Sequence, residues 1–346
     1  MRPFVHLRAA LVVLASMLAC TTSCIPSAVA MPAASRLASA GLASAGLASA
    51  DTGFDTRDAA RFAAVFLENG GAPDAPHLQR QYVEGSGPGL LLMFRQQGAD
   101  AAALARAIQA DPMRYRHAVG TCLPWFADMQ PVHAAVAGGW QRVWPGLRVP
   151  PLYVMVGTAG SAGIGVPGEA VVLDLAAICE GIHDASALEA RLGALAAHEL
   201  AHVLQPPWPD DAPSRHDLLQ WALREGGANL LGALALGEDP EGVPPPWVRG
   251  REAALLREFM DDRALMLERW RPGTEPDSLV VAAGTRWFWN GVGAEGRPAD
   301  LGYWMGQRIA YAWYQGQPDK LAARKALLAL ADADGILAGS ALLPAD

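Results

Sequence analysis

The sequence predicts an α+β fold that is mainly helical, with a small sheet in front of one long apolar helix. Apolar residues recur at helical spacing in several segments on both sides of residue 150. Between these segments, two short runs rich in β-branched residues have the length and composition of strands. Hydrophobic residues make up 51% of the 346-residue chain and charged residues 18%, so there is enough apolar material for a sizeable core.

The start of the chain has the features of an export signal. Arg2 and Arg8 give a basic beginning, residues 9–19 form an apolar run, and residues 28–30 (AVA) match a cleavage signal of the A-x-A type. We therefore expect residues 1–30 to be a signal peptide and the mature protein to be periplasmic or secreted.

The cysteines bear on how the protein is exported. Residues 17–20 (MLAC) resemble a bacterial lipobox, so a lipid anchor through Cys20 is the alternative to plain cleavage after Ala30. Plain cleavage is preferred, because Met and Leu stand where a lipobox usually has Leu and a small residue. The mature chain then keeps Cys122 and Cys179, which could form one disulfide in an oxidising compartment.

The rest of the chain divides into a linker and a body. Residues 31–51 are predicted to be a low-complexity linker, because the repeated LASAG sequence has few large apolar groups to offset the entropy of ordering. The alternative for this Ala-rich segment is a helix. We expect residues 52–346 to form a single domain, with a helical N-terminal part (52–149) and a second part (150–346) that carries the functional site. No later stretch is long and apolar enough to span a membrane. The formal charge of −8 and the lack of Lys/Arg clusters in the sequence argue against nucleic acid or anionic lipid as the main partner.

Helical spacing predicts three helices in the N-terminal part, at 55–68, 99–110 and 130–144. The adjacent glycines at 138–139 are a candidate break in the third helix. The apolar run at 90–94 is too short to distinguish the start of a helix from a strand, so both interpretations stay open.

The second part begins with the predicted sheet. Strands are expected at 151–157 and 169–175, paired across a flexible Gly-rich segment at 158–168. The residues at 186–189 (SALE) match a capping box, which places the start of the long apolar helix there. Prolines at 206–207 end this helix, because proline cannot donate the helical hydrogen bond.

The sequence HELAH at 198–202 lies in the second half of that helix. Residues four apart share one helix face, so His198 and His202 can direct their imidazoles at one ion at roughly 2.0–2.1 Å. Glu199 lies between them, beside such an ion, where a general base for a metal-bound water is needed. The alternative is that the two histidines are ordinary polar residues of a surface helix.

A second long helix is predicted from near Ser214 to Leu236, and a further one at 251–270. Glu225 on the first of these could return a carboxylate as the third protein ligand and leave the fourth position for water. The glycines at 226–227 weaken a helix, so they indicate close approach of another helix. The alternative for Glu225 is an ion pair with Arg224 or another neighbouring charge on a solvated face.

These residues resemble the gluzincin class of zinc metallopeptidases, in which an HExxH helix is followed by a Glu on a second helix. More narrowly, HELAH followed by the sequence EGGA at 225–228, together with the run LGYWMG at 301–306, looks like the predicted zinc-dependent protease family of exported bacterial proteins, which is similar to the gliding-motility lipoproteins. The resemblance covers roughly residues 150–340. It implies a zincin-like fold, Zn²⁺ held by His198, His202 and Glu225, and a peptide or protein substrate.

The sequence departs from the gluzincin pattern at two positions. Many gluzincins have Asn before the ligand Glu and Asp four residues after it, where this chain has Arg224 and Asn229. The carboxylate that would orient a ligand histidine is therefore replaced, although Asn229 could accept a hydrogen bond through its carbonyl oxygen.

The chemistry that this resemblance implies is metal-assisted peptide hydrolysis. Glu199 would take a proton from the attacking water and pass it to the leaving amine. The developing oxyanion needs a donor, for which Tyr303, Arg308 and His216 are the polar candidates; Tyr303 is preferred because it lies in the family-like run.

Two other functions stay open. One is a non-catalytic exported binding or assembly protein or lipoprotein with a structural zinc site, against which the acid between the two histidines argues. The other is a hydrolase of amide bonds in cell-wall peptides.

Overall fold

The computed structural model describes residues 53–208, 212–271, 273–291, 293 and 296–343. The predicted signal peptide, the predicted linker and Cys20 lie outside the described residues. Within them the chain is mainly helical, with a small four-stranded sheet that precedes the HELAH helix in sequence, so the predicted α+β composition is confirmed.

Most of the described residues lie in α-helices. In chain order the helices are α1 (Arg57–Glu68), α2 (Ala75–Leu78), α3 (Pro88–Gln97), α4 (Ala101–Ala110), α5 (Pro112–His117), α6 (Leu123–Phe126), α7 (Gln130–Val143), α8 (Leu175–Ile178), α9 (Ala185–Leu204), α10 (Leu218–Leu236), α11 (Glu252–Arg269), α12 (Ser278–Thr285), α13 (Leu301–Gly316), α14 (Lys320–Ala329) and α15 (Ala333–Gly339). Short π-helical segments continue α2 and α5.

The sheet has the strand order β1-β2-β4-β3. Its strands are β1 (Phe54–Asp55), β2 (Leu152–Met155), β3 (Gly163–Val166) and β4 (Ala170–Asp174). The two predicted strands correspond to β2 and β4, which pair directly and in parallel, while β3 runs antiparallel to β4. The prediction of a flexible segment at 158–168 was wrong, because its second half forms this edge strand.

The glycines of β3 allow this strand to pack closely against α9. A β-carbon at Gly165 would overlap the backbone carbonyl oxygen of Glu199, and one at Gly163 would lie 3.0 Å from Cγ of Glu199. A strand without side chains at these two positions can therefore lie directly against α9. The same glycines that suggested flexibility in the sequence bring the sheet to the HELAH helix.

Helix α9 carries the HELAH sequence in its buried second half. Its N-cap is Asp184, whose carboxylate accepts a hydrogen bond from the backbone of Ala187 at 2.8 Å. The predicted capping box at 186–189 was therefore wrong by two residues, since Asp satisfies the same free N–H groups as Ser. The helix ends at Leu204, because Gln205 precedes a proline and is extended (φ −72°, ψ 150°).

The predicted N-terminal helices correspond to α1, α4 and α7, each shorter at one or both ends. The expected break at Gly138-Gly139 is absent from α7. A β-carbon at Gly139 would overlap the carbonyl oxygen of Ala235, so this glycine lets α7 cross α10 closely. The ambiguous run at 90–94 belongs to helix α3.

Helix α10 packs against α7, α9 and α13. It begins later than predicted, because residues 213–216 form a short 3₁₀ turn and the Asp217 side chain caps the helix. The predicted close approach at Gly226 is confirmed: a β-carbon there would overlap the backbone of Gly306 on α13, and one on Gly306 would overlap the carbonyl oxygen of Ala222.

Two further features complete the fold. Cys122 and Cys179 form a disulfide with Cα atoms 6.2 Å apart, which ties the end of the α5 segment to α8. Among the described residues, no helix is both long enough and apolar enough to cross a membrane.

The contact between α10 and α13 gives a stability prediction. Gly306→Ala forces the two backbones apart, so we expect the free energy of unfolding to fall by at least ~2 kcal/mol. Gly316→Ala is the matched control on the same helix, because a β-carbon there has nothing within 4 Å and should be neutral or up to about 1 kcal/mol stabilising. Urea unfolding measures both, and equal stabilities of the two variants would contradict the packing argument.

Candidate metal centre

Three side chains converge between α9 and α10. The Nε2 atoms of His198 and His202 lie 3.0 Å apart, and Oε2 of Glu225 lies 3.1 Å from the second and 3.3 Å from the first. In a tetrahedral site with bonds of roughly 2.0 Å, ligand atoms stand roughly 3.3 Å apart. The triangle therefore has the size that one metal ion requires, and within the described residues this is the group able to hold one.

Amide side chains orient the two histidines. Oδ1 of Asn229 lies 2.8 Å from Nδ1 of His198, and Oε1 of Gln205 lies 2.7 Å from Nδ1 of His202. An amide oxygen can only accept, so each Nδ1 carries the proton and each Nε2 presents a lone pair. Neighbours of this kind orient metal-bound histidines in proteins.

Sequence reasoning suggested the contact of Asn229 and missed that of Gln205. The missed signal is the spacing from His202: residues three apart on a helix are neighbours, and Gln205 comes directly before the proline that ends α9. Its Nε2 also donates to the backbone carbonyl of Arg224 at 2.9 Å. One side chain therefore links the second histidine to the residue immediately before Glu225.

Glu225 is ionised in this position. Burial alone raises the pKa of its carboxyl group, but positive charge on the imidazoles of His202 and His198 and hydrogen bonds from them lower it by more, so the pKa is well below its usual range when the imidazoles carry that charge. The alternative of a solvated pair with Arg224 does not describe the structure. The Arg224 guanidinium lies over the Trp208 ring at 5.2 Å and donates to the carbonyl of Pro206 at 3.3 Å.

Glu199 lies beside the triangle of ligand atoms. It is buried, and the backbone N–H of Gly165 on β3 donates to its carboxylate. Burial raises the pKa of Glu199 to about 7, with a smaller contribution from Glu225, while His198 opposes the shift. A carboxylate whose pKa lies near neutrality suits a group that takes up and returns a proton.

Tyr303 at the start of α13 contacts the same group of residues. Its ring lies 6.1 Å from that of His198 at an interplanar angle of 29°, and its hydroxyl donates to the Glu225 carboxylate. Burial and the nearby carboxylates raise the pKa of Tyr303 well above its usual value, so the hydroxyl keeps its proton.

The other two donors considered from the sequence have different surroundings. Arg308 lies 3.7 Å from Glu241, and the His216 ring packs edge-on against Trp270 at 4.5 Å. Of the three, Tyr303 is the one that the structure shows in contact with the ligand residues.

Comparisons with known proteins do not assign this chain to a family. A scan against protein-family models, a search of curated proteins and a search of solved structures each find no match to this chain. The resemblance to gluzincins therefore stays a prediction that depends on the residues themselves.

The geometry of Gln205 predicts its effect on metal affinity. Gln205→Ala removes the acceptor that orients His202 and the link to α10, so we expect the affinity for a metal ion, measured with zinc as the probe, to fall roughly 10- to 100-fold. Competition with a chromophoric chelator measures the dissociation constant. Gln220→Ala, on α10, is the control and should leave the dissociation constant unchanged. An affinity of Gln205→Ala within twofold of wild type would contradict the orienting role.

Proposed function

We propose that this protein is a zinc-dependent peptidase with a zincin-like arrangement of its metal helix and sheet. The observation that carries the proposal is the ligand triangle of His198, His202 and Glu225 with a buried acid, Glu199, beside it. A structural zinc site needs four protein ligands and no neighbouring acid, whereas a catalytic site has three ligands, an open position and a proton acceptor.

The donor set fits zinc. Two imidazole nitrogens and one carboxylate oxygen form a ligand set typical of hydrolytic zinc sites. When bound, zinc supplies a Lewis acid that lowers the pKa of a water in the open position and polarises a substrate carbonyl.

Glu199 holds and moves the proton. Its carboxylate is fixed by the N–H of Gly165 and lies next to His198 in sequence and in space. In the proposed reaction it accepts the proton of the attacking water and then delivers that proton to the leaving amine, so that the amine departs without a negative charge on its nitrogen.

Tyr303 stabilises the charge that develops on the carbonyl oxygen. Its hydroxyl lies beside the Glu225 carboxylate and retains its proton, so it is available as a donor next to the ligand triangle. Donors aimed at a developing oxyanion contribute more than donors to the ground state, because the charge appears only in the transition state.

Strand β3 supports a peptide as the substrate. It lies at the edge of the sheet and next to Glu199. An extended peptide can add to the edge of a sheet through main-chain hydrogen bonds. Such pairing would present the backbone of a peptide, rather than a side chain, to the metal centre.

The role of Glu199 separates an enzyme from a structural zinc protein. Glu199→Gln should hold about one zinc per chain, as wild type does, because the carboxylate is not a ligand, and should lose hydrolysis of a peptide library by roughly 100- to 10,000-fold. Metal analysis and library cleavage measure the two properties. Wild type purified without any zinc, or undiminished cleavage by the variant, would overturn the proposal.

The hydroxyl of Tyr303 can be removed on its own. Tyr303→Phe should keep zinc and KM near wild-type values and lower kcat roughly 100- to 1,000-fold, because the donor acts in the transition state. Tyr311→Phe, farther along the same helix, is the control and should leave kcat unchanged. If Tyr303→Phe had wild-type kcat, the oxyanion would need another donor.

A further inference from the structure

A half-buried tryptophan, Trp289, lies in a cluster of aromatic rings. Its ring centroid is 4.8 Å from that of Trp221 and 5.6 Å from that of Phe288. Trp221 and Phe288 are buried, whereas Trp289 is partly exposed. It therefore presents an aromatic surface that its protein neighbours do not cover completely.

Helix α10 relates this tryptophan to the metal centre. Trp221 and Glu225 are four residues apart in α10, so they lie on the same face, one turn from each other. Because Trp289 packs on Trp221, it lies against the turn of α10 that precedes Glu225.

Hydrogen bonds to the start of α13 are independent evidence for this location of Trp289. The backbone N–H of Trp289 donates to Oδ1 of Asp300 at 2.7 Å, and the N–H of Gly302 donates to the carbonyl of Trp287 at 2.8 Å. The segment that holds Trp289 therefore runs along the residues immediately before Tyr303. Phe288, which contacts Trp289, also contacts Tyr303, with the two ring centroids 5.6 Å apart.

The backbone conformation of Trp289 is unusual. Its φ of +55° lies in the left-handed region, which a bulky residue rarely adopts. Asp300, which accepts its N–H, also has a positive φ (+51°) and is held in turn by Oδ1 of Asn290 at 2.8 Å. Strained conformations that the surrounding structure enforces are concentrated at ligand-binding sites. Two such residues bonded to each other fix the backbone from which the indole projects.

We propose that Trp289 is a specificity-determining residue, whose exposed indole face receives an aromatic or large apolar side chain of the substrate next to the scissile bond. This inference rests on the proposed peptidase function. A rigid aromatic surface suits such a side chain, because ring pairs contact favourably and a held indole loses little entropy on binding.

The experiment compares pairs of peptides that differ only in Phe or Ala at positions flanking the cleaved bond, chosen from a library randomised on both sides. Wild type should prefer Phe at one of these positions roughly 10- to 100-fold in kcat/KM. Trp289→Gly deletes the indole and suits a positive φ, so it relieves the strain rather than adding to it. It should lose most of that preference, while its kcat/KM for the Ala peptide changes less than about threefold.

Two variants complete the test. Trp289→Phe keeps an aromatic surface and should retain most of the preference. Trp125→Ala, at a partly buried tryptophan in the N-terminal part, should retain all of it. Zinc content is measured for each variant and should equal that of wild type, because Trp289 contributes no ligand atom.

The outcomes separate this inference from the proposed function. A wild type that cleaves library peptides without a Phe preference, a Trp289→Gly variant with the wild-type ratio, or an equal loss on both peptides of the pair would overturn the role of Trp289 and leave the peptidase intact. A wild type that binds zinc and cleaves no peptide would overturn the proposed function itself.

Discussion

The close approach of α9 and α10 is the constraint on which the candidate metal centre depends. Glu225, Asn229 and Gly232 lie on one face of α10, and a β-carbon at Gly232 would lie 3.3 Å from the backbone nitrogen of His198. The helices can therefore meet almost backbone to backbone at that point. This contact sets the separation at which a carboxylate on one helix reaches two imidazoles on the other, and a larger residue at 232 would widen it.

The ligand triangle is electrostatically incomplete without a cation. Asn229 and Gln205 place the protons of His198 and His202 on Nδ1, so two Nε2 lone pairs and an ionised Glu225 oxygen face one another at 3.0–3.3 Å. Three acceptors at this distance repel unless a positive charge lies between them. A proton on one imidazole satisfies one or two of these contacts, whereas a metal ion satisfies all three. This is the strongest physical reason to expect a metal there.

The sequence predicts the parts of the site that depend on periodicity. His198 and His202 could be placed because four-residue spacing defines a helix face. Glu225 could be placed because the resemblance to gluzincins implies a ligand on the following helix, and Asn229 because it lies four residues after Glu225. Strand β3 was missed because glycine predicts both flexibility and close packing, and only the position of α9 decides between them. The contact of Gln205 was missed because its conformation depends on the proline after it. The surroundings of Trp289 depend on two distant helices, which no local pattern reports.

The packing of α9, α10 and β3 does not depend on a metal ion. The ligands come from two long, buried helices whose separation is set by backbone contacts at Gly232, and β3 is held against Glu199 through Gly165. Neither contact requires an ion, and Gln205 joins the two helices through a hydrogen bond to a backbone carbonyl. In small zinc domains the ion supplies much of the folding free energy, because the site does not exist before binding. Here backbone contacts in the core bring the three candidate ligands together, so a bound ion need not supply the folding free energy.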